Sequence, residues 1–156
     1  MIVIGGDTGT WTDPSKVSAV LDTGIPVIGV GGGGARFLDK VTAPDLSIGW
    51  LPSATGTTDL GTVQNTGLGL FYFDNPITIP VGAPIISILT AASGCVEVYN
   101  PPASVTKILR DPQFTSYWPV AQEDRFMQWG YYPSPTYMTA TGKALFLNCL
   151  YYMQGK

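Results

Sequence analysis

Four glycines at positions 31–34 follow directly on an apolar run at 25–30 and precede the helix-like segment Ala35-Arg-Phe-Leu38. An unbroken apolar run of that length fits a strand covered on both faces. The succession therefore reads as strand, tight turn, helix N-terminus. A turn of this kind can present backbone N–H groups to an anion, or carry a nucleophile on a sharp elbow. No serine or cysteine stands on this turn, and the chain contains no histidine. The outline of a site is present without its usual reactive groups.

The flanking sequence extends the pattern. Residues 1–5 form a first apolar run, and Asp7, Thr8, Gly9 and Thr10 make a polar loop at its carboxyl end. Asp13-Pro14 matches a helix start, with Asp13 as N-cap and Pro14 in the first turn. Val17, Val20 and Leu21 recur at helical spacing, and Gly24 stands where that helix would stop. A short helix over 35–41 follows the glycine turn. Strand, helix, strand, helix points to an α/β fold with a mainly parallel sheet flanked by helices.

The middle of the chain, 47–66, is rich in Gly, Thr and Ser around Trp50, Leu51 and Leu60. Phe71, Phe73, Ile77, Ile79 and Val81 approximate a period of two. Further strands are expected at 84–89 and 95–99, joined by a hairpin connection at 91–94, and at 120–129 with Arg125 and Gln128 facing outward. Thr139 is a fair N-cap for a largely buried helix over 144–153, where Asn148 is the one strongly polar residue.

With 156 residues and 45% apolar composition, the chain suits one domain with a substantial core. Only 12% of residues are charged and the net charge is −3, so nucleic-acid binding has no electrostatic footprint. No apolar stretch is long enough to span a membrane, and no basic region precedes an apolar run as in a signal peptide. Cys95 and Cys149 permit one disulfide, but their apolar surroundings favour buried free thiols. With no histidine, two distant cysteines and dispersed acids, no metal or other cofactor is expected.

Three segments together resemble class I glutamine amidotransferase-like domains. Val27-Ile-Gly-Val-Gly-Gly-Gly-Gly-Ala35 is similar to that family's G-x-C-x-G elbow. Ile2-Val-Ile-Gly-Gly-Asp-Thr8 is similar to the strand and loop that precede the elbow helix. Met138-Thr-Ala-Thr-Gly-Lys-Ala-Leu-Phe-Leu-Asn-Cys-Leu-Tyr-Tyr152 resembles the closing helix of noncatalytic or uncharacterised branches, including trehalose-utilisation-like proteins. The resemblance implies a flavodoxin-like three-layer sandwich. It places Gly31 at the family's nucleophile position and leaves its catalytic histidine without a counterpart, which excludes glutaminase chemistry. It also implies that the usual first strands are missing. The chain is then a C-terminal part of a larger protein, or its sheet is completed by another copy or a partner.

Candidate site residues fall into two groups. Gly6, Asp7 and Thr8 with Gly31, Gly32, Gly33, Gly34 and Arg36 would surround a small anion or a sugar at the carboxyl ends of adjacent strands. Trp118, Trp129 and Tyr131, with Trp50, Tyr72, Tyr117 and Tyr132, would form an aromatic surface for sugar stacking or for an interface. Three functions remain open: a noncatalytic domain binding an anionic or carbohydrate ligand, a hydrolase in which Asp7 activates water, and a structural or oligomerisation module. An exposed edge at residues 1–5 would favour a homo-oligomer.

Overall fold

The structure, a computed structural model, describes residues 1–41, 54–63 and 85–155, with backbone alone for 54–57. Trp50, Leu51, Tyr72 and the alternating segment at 71–81 lie outside the described residues.

The chain opens as expected, with β1 (Ile2–Ile4), α1 (Pro14–Leu21), β2 (Val27–Val30) and α2 (Gly31–Leu38). Asp13 caps α1 by accepting the backbone N–H of Ser15 at 3.0 Å, and Pro14 occupies the first turn. The later strands are β3 (Ala54–Thr58), β4 (Leu60–Val63), β5 (Ile86–Ser87), β6 (Ser93–Tyr99), β7 (Thr106–Arg110), β8 (Tyr117–Trp118), β9 (Val120–Glu123) and β10 (Phe126–Trp129). α3 (Ala140–Gln154) closes the chain. Thr139 caps it by accepting the Gly142 N–H at 2.9 Å while donating its own hydroxyl proton to Ser87 O at 2.6 Å.

Among the described residues, seven strands form one sheet in the order β1-β2-β10-β9-β7-β4-β5, and β3-β6-β8 form a second. β2 lies parallel to both β1 and β10. Every other pairing in the two sheets is antiparallel. The molecule is thus mixed α/β, and the expectation of a mainly parallel sheet holds only for the β1-β2-β10 flank. The physical reason lies at 120–129. This stretch is not one strand but a tight β9–β10 hairpin, turned at Asp124 with φ 50°. The expected 91–94 hairpin is also absent, because β5 pairs with β4 while β6 pairs with β3 and β8.

Strand alternation sorts side chains onto two cores. Val27, Ala121 and Phe126 join Phe37 and Leu38 of α2 and Val17 of α1 on one side. Ile28, Val120, Met127 and Trp129 join Leu145, Cys149 and Met153 of α3 on the other. Helices therefore cover both faces of the large sheet. Gln128, expected to face outward, is 2% exposed and donates from Nε2 to Val96 O at 2.9 Å, tying β10 to the small sheet. Arg125 donates to the carbonyls of Ile25 and Leu21, closing the α1–β2 connection.

Candidate functional site

The carboxyl ends of β1, β2 and β10 share one edge of the sheet, so three loops converge there. The loop after β1 and the glycine segment after β2 meet directly, since Gly33 N–H donates to Gly6 O at 2.9 Å. The four glycines are not a loop. They form the first turn of α2, which begins four residues earlier than the sequence suggests. Gly31 is the elbow itself, with φ +54° between strand and helix, a conformation costly for residues with a side chain. The close strand–helix crossing is set by Gly33 and Gly34. A Cβ on Gly33 would lie 2.5 Å from Gly5 O, and one on Gly34 would lie 2.5 Å from Gly29 Cα.

What stands over the elbow is Tyr132. A Cβ built on Gly31 would meet Tyr132 Cα at 3.2 Å and Tyr131 O at 3.3 Å. The Tyr132 ring continues across Gly32, whose added Cβ would lie 3.6 Å from Cζ, and it presses on Gly94 of β6, where the spacing would be 2.7 Å to Cδ2. Tyr132 N–H also donates to Gly94 O at 3.0 Å, locking the ring's backbone to the small sheet. A side chain at position 31 would project into the Tyr131–Tyr132 segment rather than into open space. Only Gly32 of the four glycines is more than marginally accessible.

Beside this plug lies an open cleft of about 570 Å³, within the usual range for small-molecule sites. Val3, Val30, Tyr132, Pro133, Pro135 and Phe146 supply its apolar walls, while Gly5, Gly6, Asp7 and Ser134 supply its polar rim. Among the described residues of that lining, Asp7 is the only carboxyl or ammonium group. Thr8 does not line it; its hydroxyl donates to Gly5 O at 2.8 Å and accepts from Trp11 Nε1 at 3.2 Å, folding the loop on itself. Arg36 is exposed in the last turn of α2 and does not line the cleft either. The structure thus brings Gly6 and Asp7 to the cleft, buries Gly31, Gly33 and Gly34 behind it, and leaves Arg36 apart.

The expected aromatic surface is corrected more sharply. Trp129 and Tyr131 are fully buried. Trp129 packs edge-on against Phe146, with ring centroids 4.9 Å apart, and Tyr131 donates its hydroxyl proton to Leu60 O at 2.8 Å. Trp118 is half-buried beneath Lys107, whose Nζ stands 5.6 Å from the ring centroid. The residue before Pro133 does face solvent: Tyr132 is 40% exposed. Trp129 and Tyr131 pack into the α3 core, whereas the Tyr132 ring lies over Gly32 and Gly94 at the cleft.

Sequence reasoning missed Val3, Val30, Pro135 and Phe146 as cleft residues, since apolar residues on strands and helices carry no site signature. It also missed a buried carboxyl pair away from the cleft. Glu97 on β6 and Asp111 just after β7 are 2% and 3% exposed and share a side-chain hydrogen bond. Asp111 Oδ1 accepts the N–H groups of Gln113 and Phe114 at 2.6 and 2.8 Å, so Asp111 is the acceptor and Glu97 holds the proton. Burial first, then the hydrogen bond to Asp111 and its charge, push the Glu97 carboxyl up to about 8. Glu97 Oε1 has no hydrogen-bond partner among the described residues.

Cys95 and Cys149 are both buried free thiols. Burial pushes the Cys149 thiol up to about 12 and raises Cys95 well above its ordinary value, with Glu97 and Asp111 adding to the latter. Neither is poised as a nucleophile. Among the described residues no three His, Cys, Asp or Glu side chains gather where they could hold a metal, and no helix is long and apolar enough to cross a membrane. No protein family, curated protein or solved structure matches this chain.

Proposed function

We propose that the chain is a noncatalytic domain of amidotransferase-like, flavodoxin-like architecture that binds a small neutral ligand of carbohydrate type in the cleft beside Tyr132. The observation that carries this reading is the Tyr132 plug over Gly31. The position where an elbow nucleophile would project is occupied by main chain and a phenol ring, in a chain without histidine. Acyl transfer there would need both a nucleophile and its base. The neutral character of the ligand follows from the lining. Asp7 is its one charge and is negative, Arg36 stands elsewhere, and the Gly33 N–H is already bonded to Gly6 O. A small anion would meet repulsion without compensation. A sugar would find an exposed tyrosine face for its C–H surface and the Asp7 carboxylate for its hydroxyls.

The test is calorimetric titration of the intact chain with neutral mono- and disaccharides and, separately, with inorganic phosphate. Saccharide binding that Tyr132→Ala weakens at least tenfold, with phosphate silent, supports the reading. Phosphate binding with saccharides silent sinks it. Hydrolysis of a bound saccharide, abolished in Asp7→Asn, would instead favour the reading in which Asp7 activates water.

A further inference from the structure

Among the described residues β1 is the outermost strand of the large sheet and pairs with β2 alone. Its backbone groups divide cleanly. Ile2 N–H donates to Pro26 O at 2.7 Å, and in a parallel ladder Ile2 and Ile4 direct their polar groups toward β2. The N–H and C=O of Val3 therefore point outward, as do the C=O of Met1 and the N–H of Gly5. Natural edges are blunted by charge, proline or a bulge. Residues 1–6 carry no charged side chain and no proline, and the β1–β2 register runs without a shift. The side chains flanking this edge are apolar and open, with Val3 48%, Ile25 39% and Met1 38% exposed. On the α3 side, Val3 looks across the cleft toward Phe146 without a covering helix among the described residues.

We propose that this edge pairs with the β1 of a second copy of the chain, antiparallel about a two-fold axis through Val3. The edge is self-complementary in that arrangement. Val3 N–H and C=O of each copy exchange both bonds with the other Val3. Gly5 N–H of each copy then reaches Met1 C=O of its mate. Gly5 O needs no partner, because it already accepts the Thr8 N–H and hydroxyl. Like apolar side chains meet across the axis, and the paired residues 1–5 set no charged side chain against another. An isologous contact of this type closes on itself at two copies and builds no fibre. It joins the two large sheets into one continuous sheet. It also places each cleft, of which Val3 is one wall, beside the axis, so the mate's β1 closes the cleft's open flank.

Light scattering of the wild-type chain should report a dimer. Val3→Pro removes only an outward N–H, so the protomer should keep its circular dichroism while scattering as a monomer. Val3→Lys, which keeps the N–H and places two cations at the axis, should give the same result without any backbone demand. In a Val3→Cys variant, the two introduced thiols would lie across a pair whose Cα atoms are about 5.5 Å apart. A short bismaleimide should then join the copies rapidly, and a Ser15→Cys control on exposed α1 should not. The two native thiols are buried and silent in this assay. A monomeric wild type, a folded Val3→Lys that stays dimeric, or cross-linking equal at 3 and 15 would each overturn the proposal. Tyr132→Ala leaves the β1 edge untouched, so its effect on saccharide binding reports on the cleft and not on the pairing.

Discussion

At the scale of single residues, the glycine segment divides into positions with different physical demands. Gly34 is fixed by contact: an added Cβ would meet the backbone of Gly29, which cannot move aside as a side chain would. Gly34→Ala should cost about 3 kcal/mol or more in urea denaturation. Gly32 is the contrast. Its added Cβ would sit 3.6 Å from Tyr132 Cζ, an ordinary contact, and its φ is not positive. Gly32→Ala should leave stability unchanged or raise it by up to about 1 kcal/mol, since alanine suits a helix better than glycine. Equal losses at 32 and 34 would contradict this account. The sequence shows four identical letters here. It cannot show which of them is needed for conformation, which for contact and which for neither, because that depends on Gly29, Gly5 and Tyr132 arriving from elsewhere in the chain.

At the scale of elements, the clearest prediction concerns the junction between β6 and the end of β7. Glu97 is protonated in the folded chain up to about 8, against an ordinary glutamate value of 4.5. Between those two values the folded state binds a proton that the unfolded state releases, so stability falls as pH rises through this window. Glu97→Gln keeps a donor for Asp111 and removes the titration. Urea midpoints of the variant should be flatter across the window than those of the wild type; parallel curves would exclude Glu97 as the cause. No sequence pattern announced this pair, since Glu97 and Asp111 lie on different elements and look like ordinary surface acids. By contrast, β1, α1 and β2 were legible because local signals agree: Asp13-Pro14 at a cap, helical spacing at Val17, Val20 and Leu21, and continuous apolar runs at both strands, of which β2 is the doubly covered one. The β9–β10 hairpin was not legible. Its turn places Asp124 at φ 50° without a glycine, and both strands are buried throughout, which erases the alternation that would mark a hairpin. Tyr131 and Tyr132 show the same limit, since adjacent letters face a dry core and an open cleft.

At the scale of the whole molecule, β2 is the seam. It bonds to β1 from the beginning of the chain and to β10 from near the end, with Val27 opposite both Ile2 and Phe126. Amide hydrogen exchange should therefore be slowest in β2, β9 and β10 and fastest at the outward N–H of Val3 in the unpaired protomer. A Val3 amide as protected as those of β2 in the Val3→Lys variant would contradict the edge assignment. The seam has a further consequence for how the chain comes into being. During synthesis β1, α1, β2 and α2 emerge before their partners, and the apolar flank of β2 must wait for β10, from which residues 31–125 separate it. Closing so long a loop is slow by the standards of local helix packing. A nascent chain that stops before β9 should therefore remain unstructured and recruit chaperones, and the molecule should acquire its order in one late step.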